Sequence, residues 1–380
     1  MHDLTTAEFE RRMSLVRAAM ADLDCDLWIV TRPENIYYLS GYRAAHVAAR
    51  TSRFHGILVP REGHPVLVAR SLEAVTADDQ RIDAVLLFDD DVDPYPRMRD
   101  TLFDGSTPRT LRVGVEQRFL SVRQWRELGA VFDIADAVDI TGRVEGFASS
   151  PSADERGAID GAARVTMAGL EAASRALAPG RRAHDVVGAA HEAMYAAGQT
   201  DFDKALVAVW TGPRGGAMHD TRVTQELVEG HVATIEIMGV DHHLRTGAQA
   251  CFYLGEEPRP ELTDAYALVL AMHDAARDTI AAGRTAGEVF GEADRVYQQA
   301  RGIPYHRRVG GSMGLTNFAV DLTRGNPAVL QEGQPILVQT LVDDPALITH
   351  ATTVVVTADG CVELTSTPRT FAAPQWSRRR

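Results

Sequence analysis

Cysteine, long apolar runs and positive charge are all scarce in this chain of 380 residues. Cysteine occurs three times, at Cys25, Cys251 and Cys361. The odd count, the wide spacing and the lack of a CxxC pair exclude a disulfide framework and a zinc knuckle. Reduced thiols fit the cytoplasm, which is the expected compartment. No stretch approaches the roughly eighteen consecutive apolar residues of a membrane span. The opening MHDLTTAEFERRM carries acidic residues and no apolar h-region, so no signal peptide is expected. Lys and Arg number 39 against 52 Asp and Glu, a net charge of −13. A nucleic-acid binder carries a basic face, so neither nucleic acid nor membrane is expected as a partner. The RRR at 378–380 reads as a solvated end.

What is present is material for a core. Hydrophobic residues make up 45% and charged residues 24%, the balance of a soluble globular chain rather than a disordered one. The length suggests two domains. Phe9, Met13, Val16 and Met20 fall at helical spacing over residues 6–22, with Thr5 or Thr6 as the cap. DLWIVT at 26–31 reads as a buried strand, and Pro33 opens a helix-like turn that stops at Gly41. GILVP and PVLVA around a glycine loop read as a hairpin. Strands near 84–90, 112–116 and 132–134, with helices at 96–103 and 121–129, complete an α/β domain over residues 1–145. The small, polar, proline-containing segment 144–154 reads as the boundary. Helices at 153–177 and 183–197 come next, then strands between 204 and 252. A second helical pair at 261–282 and 286–301 precedes strands at 335–342 and 352–357. Helix pair, strands, helix pair, strands suggests an internal pseudo-repeat and an α+β core over 155–372.

Five short motifs then meet a known pattern. Asn35 to Tyr42 (NIYYLSGY) is similar to "NIxYLTGF", and Val207 to His219 (VAVWTGPRGGAMH) to a strand, glycine loop and histidine. Gly230 to Gly239 (GHVATIEIMG) sits at "GDLVLIDxG", Val309 to Gly314 (VGGSMG) at "GHGIG", and Leu330 to Leu341 (LQEGQPILVQTL) at "LxxGMVxxxEP". No one of these is specific, but five in order resemble the creatinase/prolidase/aminopeptidase P family over nearly the whole length. The resemblance implies an α+β chain with an N-terminal α/β creatinase-like domain and a C-terminal pita-bread domain, assembled as a homodimer.

Most relatives bind two metal ions through two Asp, one His and two Glu. By resemblance those five positions fall here on Glu236, Gly247, Gly311, Gln339 and Ala351, with His350 beside the last. Hard divalent ions want several charged oxygen or nitrogen ligands, so no metal and no other cofactor is expected. Creatinase is the family's metal-free precedent, and its general acid/base histidine matches His219. Two carboxylates that assist it fall on Gln249 and Gln339. Arg53, in SRFHG, matches an arginine that in creatinase reaches the substrate carboxylate from the other subunit.

The residue types agree with such a pocket. His219 follows Gly212, Pro213, Gly215 and Gly216, and an imidazole beside a glycine-rich loop can move a proton near neutral pH. The bland alternative is a surface-loop histidine. Glu236 lies in the apolar strand TIEIMG, where burial raises a carboxyl pKa toward that of a proton carrier; the alternative is an edge-strand glutamate. Gln339 and Gln249 do not titrate, yet they orient a carbonyl or amide. His350 is in the pocket or on the opposite face of its strand, according to a register shift of one. Asp241-His242-His243 reads as a solvated turn, and His306-Arg307-Arg308 either gives the pocket mouth positive charge or is a plain basic stretch. The expected function is metal-independent acid–base chemistry on a small polar molecule: C–N hydrolysis by resemblance, or lyase, isomerase or cyclase chemistry. A non-catalytic peptide- or protein-binding module is the alternative.

Overall fold

The computed structural model describes residues 4–43, 54–78, 80–103, 110–201 and 205–372. Arg53 lies outside the described residues. The structure separates into two compact units that divide between Phe147 and Ala148.

In the N-terminal unit, helix α1 (Thr6–Asp22) starts where the Thr5 hydroxyl accepts the Glu8 N–H, and it buries Met13, Val16 and Met20. Helix α2 (Pro33–Ser40) has proline in its first turn and ends on Gly41, whose φ of 79° is left-handed. Asn35 serves this helix: its Nδ2 donates to Glu116, whose carboxylate also takes the N–H groups of Thr31 and Arg32 at 2.6 and 2.7 Å. Strands β1 (Leu27–Val30), β2 (Gly56–Pro60), β3 (Val66–Arg70), β4 (Ala84–Phe88), β5 (Leu111–Val115) and β6 (Ile134–Asp139) form one sheet in the order β4-β3-β2-β1-β5-β6. The β1–β2 and β2–β3 pairs are antiparallel, and β3–β4, β1–β5 and β5–β6 are parallel. Helices α3 (Ala74–Asp78) and α5 (Val122–Val131) lie in the connections between parallel neighbours, and α4 (Pro94–Phe103) lies between β4 and β5, which are not neighbours in that order. Strand β6 runs beyond the 132–134 expected for it. Its IADAVD is half-exposed, so it lacks the apolar run that marks a buried strand. Helix α6 (Arg143–Phe147) occupies the start of the segment expected to be a linker.

The C-terminal unit opens with α7 (Ala153–Ala176) and α8 (Ala183–Ala196). The sheet follows: β7 (Leu206–Gly212), β8 (Val232–Asp241) and β9 (Leu244–Tyr253). The second helix pair is α9 (Pro260–Thr279) and α10 (Ala286–Arg301). Strands β10 (Gly310–Ser312), β11 (Pro335–Val342), β12 (Ile348–Val356) and β13 (Cys361–Glu363) complete the sheet in the order β10-β11-β12-β9-β8-β7, with β13 beside β12. Ser152 and Thr285 each head a capping box, with Glu155 and Glu288 three residues on. Both helix pairs cover one face of this sheet. The first pair buries Ile235, Ile237, Ala248, Ala250 and Phe252. The second buries Ile336, Val338, Val354 and Val356. Period-two alternation sends the intervening side chains to the other face. That face carries the candidate site.

Candidate active site

Strand register assembles the site. Glu236 on β8 stands opposite Gln249 on β9, Gln249 opposite Ala351 on β12, and Ala351 opposite Gln339 on β11. Directly paired residues share a face, so one row across four strands brings Glu236, Gln249 and Gln339 to the helix-free side. Thr349, two residues before Ala351, shares it. The Gln249 Oε1 accepts from Gln339 Nε2 at 3.0 Å and from the Thr349 hydroxyl. Gln249 is 1% exposed, and its buried Nε2 has no hydrogen-bond partner among the described residues. Beside it Glu236 is also buried, and its carboxylate makes no hydrogen bond among the described residues. Burial pushes the Glu236 pKa up to about 7, and the Arg308 charge opposes that rise. Arg308 is half-exposed, with its guanidinium 3.9 Å from the centre of the Phe318 ring and 3.5 Å from Asp321. Its neighbour Arg307 pairs with Asp343 instead. Of the basic stretch, Arg308 therefore acts on the buried carboxyl.

The glycine loop after β7 folds over the same face. Trp210 stands opposite Thr234, two residues along from the Ala208–Glu236 pair, and so shares the face of Glu236. Its Nε1 donates to the Asp220 carbonyl at 3.1 Å, and the His219 ring meets the Trp210 ring edge-on with centroids 6.2 Å apart. His219 is exposed and takes a left-handed φ of 66°. Gly215 needs to be glycine: its φ is 80°, and a Cβ there would lie 2.3 Å from the Leu347 carbonyl oxygen. The Leu347 N–H donates to the Arg214 carbonyl at 2.9 Å, tying the loop to the turn before β12.

His350 does not join the row. As the neighbour of Ala351 it points to the helix side, the second of its two expected placements, rather than toward Glu236 as a substrate-binding residue would. It is 1% exposed, its ring centroid is 4.7 Å from that of His273 on α9, and its Nε2 lies 2.9 Å from the Thr367 hydroxyl. Burial drives its pKa down to about 3, with the His273 ring acting in the same direction. The Asp241–His243 stretch does form a turn, with His242 and His243 at φ of 47° and 61°. It is not wholly solvated, because His243 is buried with its Nε2 2.8 Å from Asp201.

The donor set does not fit a pair of hard divalent cations. Of the five positions, Glu236 alone is a carboxylate. A Cβ at Gly247 would meet Leu337 Cδ1 at 3.2 Å and Met313 Cε at 3.5 Å. One at Gly311 would lie 2.5 Å from the Val320 carbonyl oxygen and 2.6 Å from Phe318 Cδ1. Apolar side chains fill the places where ligands would stand, and Met313, Leu337 and Ala351 form a small cluster with Phe318 against it. Among the described residues no group of three or more His, Cys, Asp or Glu side chains converges to hold an ion. Sequence reasoning missed Thr349 and Phe318. Alternation back from Ala351 marks Thr349 once the register is known, whereas nothing local marks Phe318.

Residues 157–358 match the profile of metallopeptidase family M24, and residues 12–147 match the creatinase/prolidase N-terminal domain. The chain belongs to the M24 family, and its C-terminal unit has that family's pita-bread fold. It is 26% identical over 376 residues to a protein of Mycobacterium bovis named probable dipeptidase PepE, covering 95% of each chain. It is 25% identical over 378 residues to the hydrolase/peptidase y4tL of Sinorhizobium fredii, covering 96% of each. Among solved structures, dipeptidase PepE from Mycobacterium ulcerans superposes with a TM-score of 0.82 at 22% identity, covering 97% of this chain and 98% of that one. The prolidase from Thermococcus sibiricus gives 0.85 at 17%, covering 96% and 98%. No described helix is long and apolar enough to cross a membrane.

Proposed function

We propose that this chain is a hydrolase that cleaves a C–N bond in a small polar substrate by acid–base chemistry, without a divalent metal. The observation that carries the reading is the row Glu236–Gln249–Gln339. It sets one buried, unpaired carboxyl with a pKa raised to about 7 beside two amides. Hydrolysis takes one proton from water and returns one to the departing nitrogen. A carboxyl poised near neutrality suits that exchange, and His219 on the loop over the same face is the second group able to move a proton. Gln249 and Gln339 hold the polar group that changes charge. Arg308 at the edge of the row attracts an anionic substrate. The relatives named as peptidases and dipeptidases support hydrolysis as the reaction class. Assembly as a homodimer belongs to the same proposal.

A non-catalytic peptide-binding role is the second reading, and it draws on the loss of charged ligands at Gly247, Gly311, Gln339 and Ala351. A panel of small amides and dipeptides, assayed with and without chelator, separates the two. Turnover that survives chelation and is lost in both His219→Ala and Glu236→Gln supports the enzyme. Turnover lost on chelation contradicts it. Binding of peptides without any turnover supports the module.

A further inference from the structure

We propose that Glu236 and Gln249 form a two-point cradle for a planar amide-type group, a carboxamide or ureido, and that the pocket discriminates against the equally shaped guanidinium. The inference rests on reading this row as the substrate site and names the chemistry it accepts. Two buried polar residues stand side by side in one cross-strand pair: the Gln249 Nε2 is unsatisfied, and the Glu236 carboxyl makes no hydrogen bond among the described residues. The amide of Gln249 has its carbonyl end turned toward β11 and β12, where it takes donors from Gln339 and Thr349. Its donor end is left without an acceptor in a residue 1% exposed. Next to it the Glu236 carboxyl has no hydrogen-bonding neighbour among the described residues. Buried polar groups are nearly always paired, so this unfilled donor and carboxyl describe their missing partner. A carboxamide or ureido supplies both halves. Its C=O accepts from Gln249 Nε2, and its N–H donates to the Glu236 carbonyl oxygen, whichever protonation state Glu236 is in. A guanidinium has donors only, and would set N–H against the Gln249 N–H. Arg308, on the Phe318 ring at the edge of the row, takes a carboxylate carried by the same molecule.

The test uses two acids of the same shape, N-carbamoylglycine and guanidinoacetate, titrated calorimetrically against the full-length protein. The carboxylate common to both removes Arg308 from the comparison. A site whose donor is left facing another donor loses roughly tenfold or more in affinity. The wild type should therefore bind N-carbamoylglycine at least that much more tightly. Gln249→Glu, which turns the donor into an acceptor, should reverse the order. Equal or tighter binding of guanidinoacetate by the wild type, or binding of neither acid, overturns the cradle. So does an unchanged order in a folded Gln249→Glu variant. If that variant does not fold, the side-chain amide nitrogen resonance of Gln249 decides. It should shift with N-carbamoylglycine and not with guanidinoacetate, and the opposite pattern overturns the proposal. Ammonia release is read in parallel. Tight binding without ammonia leaves the cradle standing and removes the hydrolase reading, whereas turnover with the reversed binding order does the opposite.

Discussion

Replacing Glu236 by glutamine should stabilise the protein, and far more at pH 8 than at pH 5. A glutamate in the unfolded chain titrates near 4.5, and this one titrates near 7 when folded because its charge is desolvated. A carboxyl whose folded pKa is raised contributes stability that is fully present below 4.5 and is lost as pH rises through 7. At 1.36 kcal/mol per pKa unit, burying its charge costs the wild type about 3 kcal/mol at pH 8 and about 1 kcal/mol at pH 5. Glutamine carries no charge at either pH. Any packing or hydrogen-bonding cost of its extra donor is the same at both, so it cancels when the two are compared. The variant's advantage should grow by about 2.5 kcal/mol between pH 5 and pH 8, a Tm difference of roughly 5–10 °C for a unit of this size. Glu116, which burial also raises to about 7, is present in both proteins and cancels as well. Paired thermal melts at the two pH values provide the assay. An advantage that stays constant with pH, or shrinks toward pH 8, refutes the account of Glu236 as a desolvated, unpaired carboxyl.

His219→Ala should lower turnover by about 10²–10⁴, the usual contribution of an acid/base group, while Tm stays nearly unchanged because the residue is exposed; steady-state kinetics beside a melt checks both. His350 predicts an acid limit. Its folded pKa near 3 lies below the ordinary 6.5, so its contribution is intact above 6.5 and falls as pH drops toward 3, by about 2 kcal/mol at pH 5. Asp274, Arg277 and Arg369 face the same pair of rings, and Asp274 alone opposes the shift. Denaturant titrations of His350→Asn should show a shallower loss between pH 6.5 and 5. Gly311→His should destabilise by roughly 1–3 kcal/mol, since its side chain must displace Phe318 and the Val320 carbonyl, and should create no peptidase activity.

The helices and most strands were legible because their signals are local. Met13, Val16 and Met20 mark the buried stripe of α1, and Pro33 with Gly41 bracket α2. Strand β6 was less legible, because IADAVD is half-exposed and carries little apolar pattern. At the site, the family resemblance selected Glu236, Gln249 and Gln339, and pairing across β8, β9, β12 and β11 brings them into one row. The side taken by His350 needed that pairing as well. Alternation fixes which residues of β12 share a face, but only the Ala351–Gln249 bridge says which face looks toward Glu236. The Thr349–Gln249 bond spans 100 residues, and the packing of Phe318 against Gly311 depends on a loop, so neither leaves a periodic trace.

We propose that the site works through Glu236 and its amide neighbours rather than through a metal pair. Titration of the chelator-treated protein with Mn²⁺ or Zn²⁺ tests it most directly. The account predicts no saturable binding at the pocket tighter than on the order of 1 mM, and a Tm that added metal leaves unchanged. Two ions bound per chain at micromolar affinity, with a rise in Tm that Glu236→Gln abolishes, would contradict it.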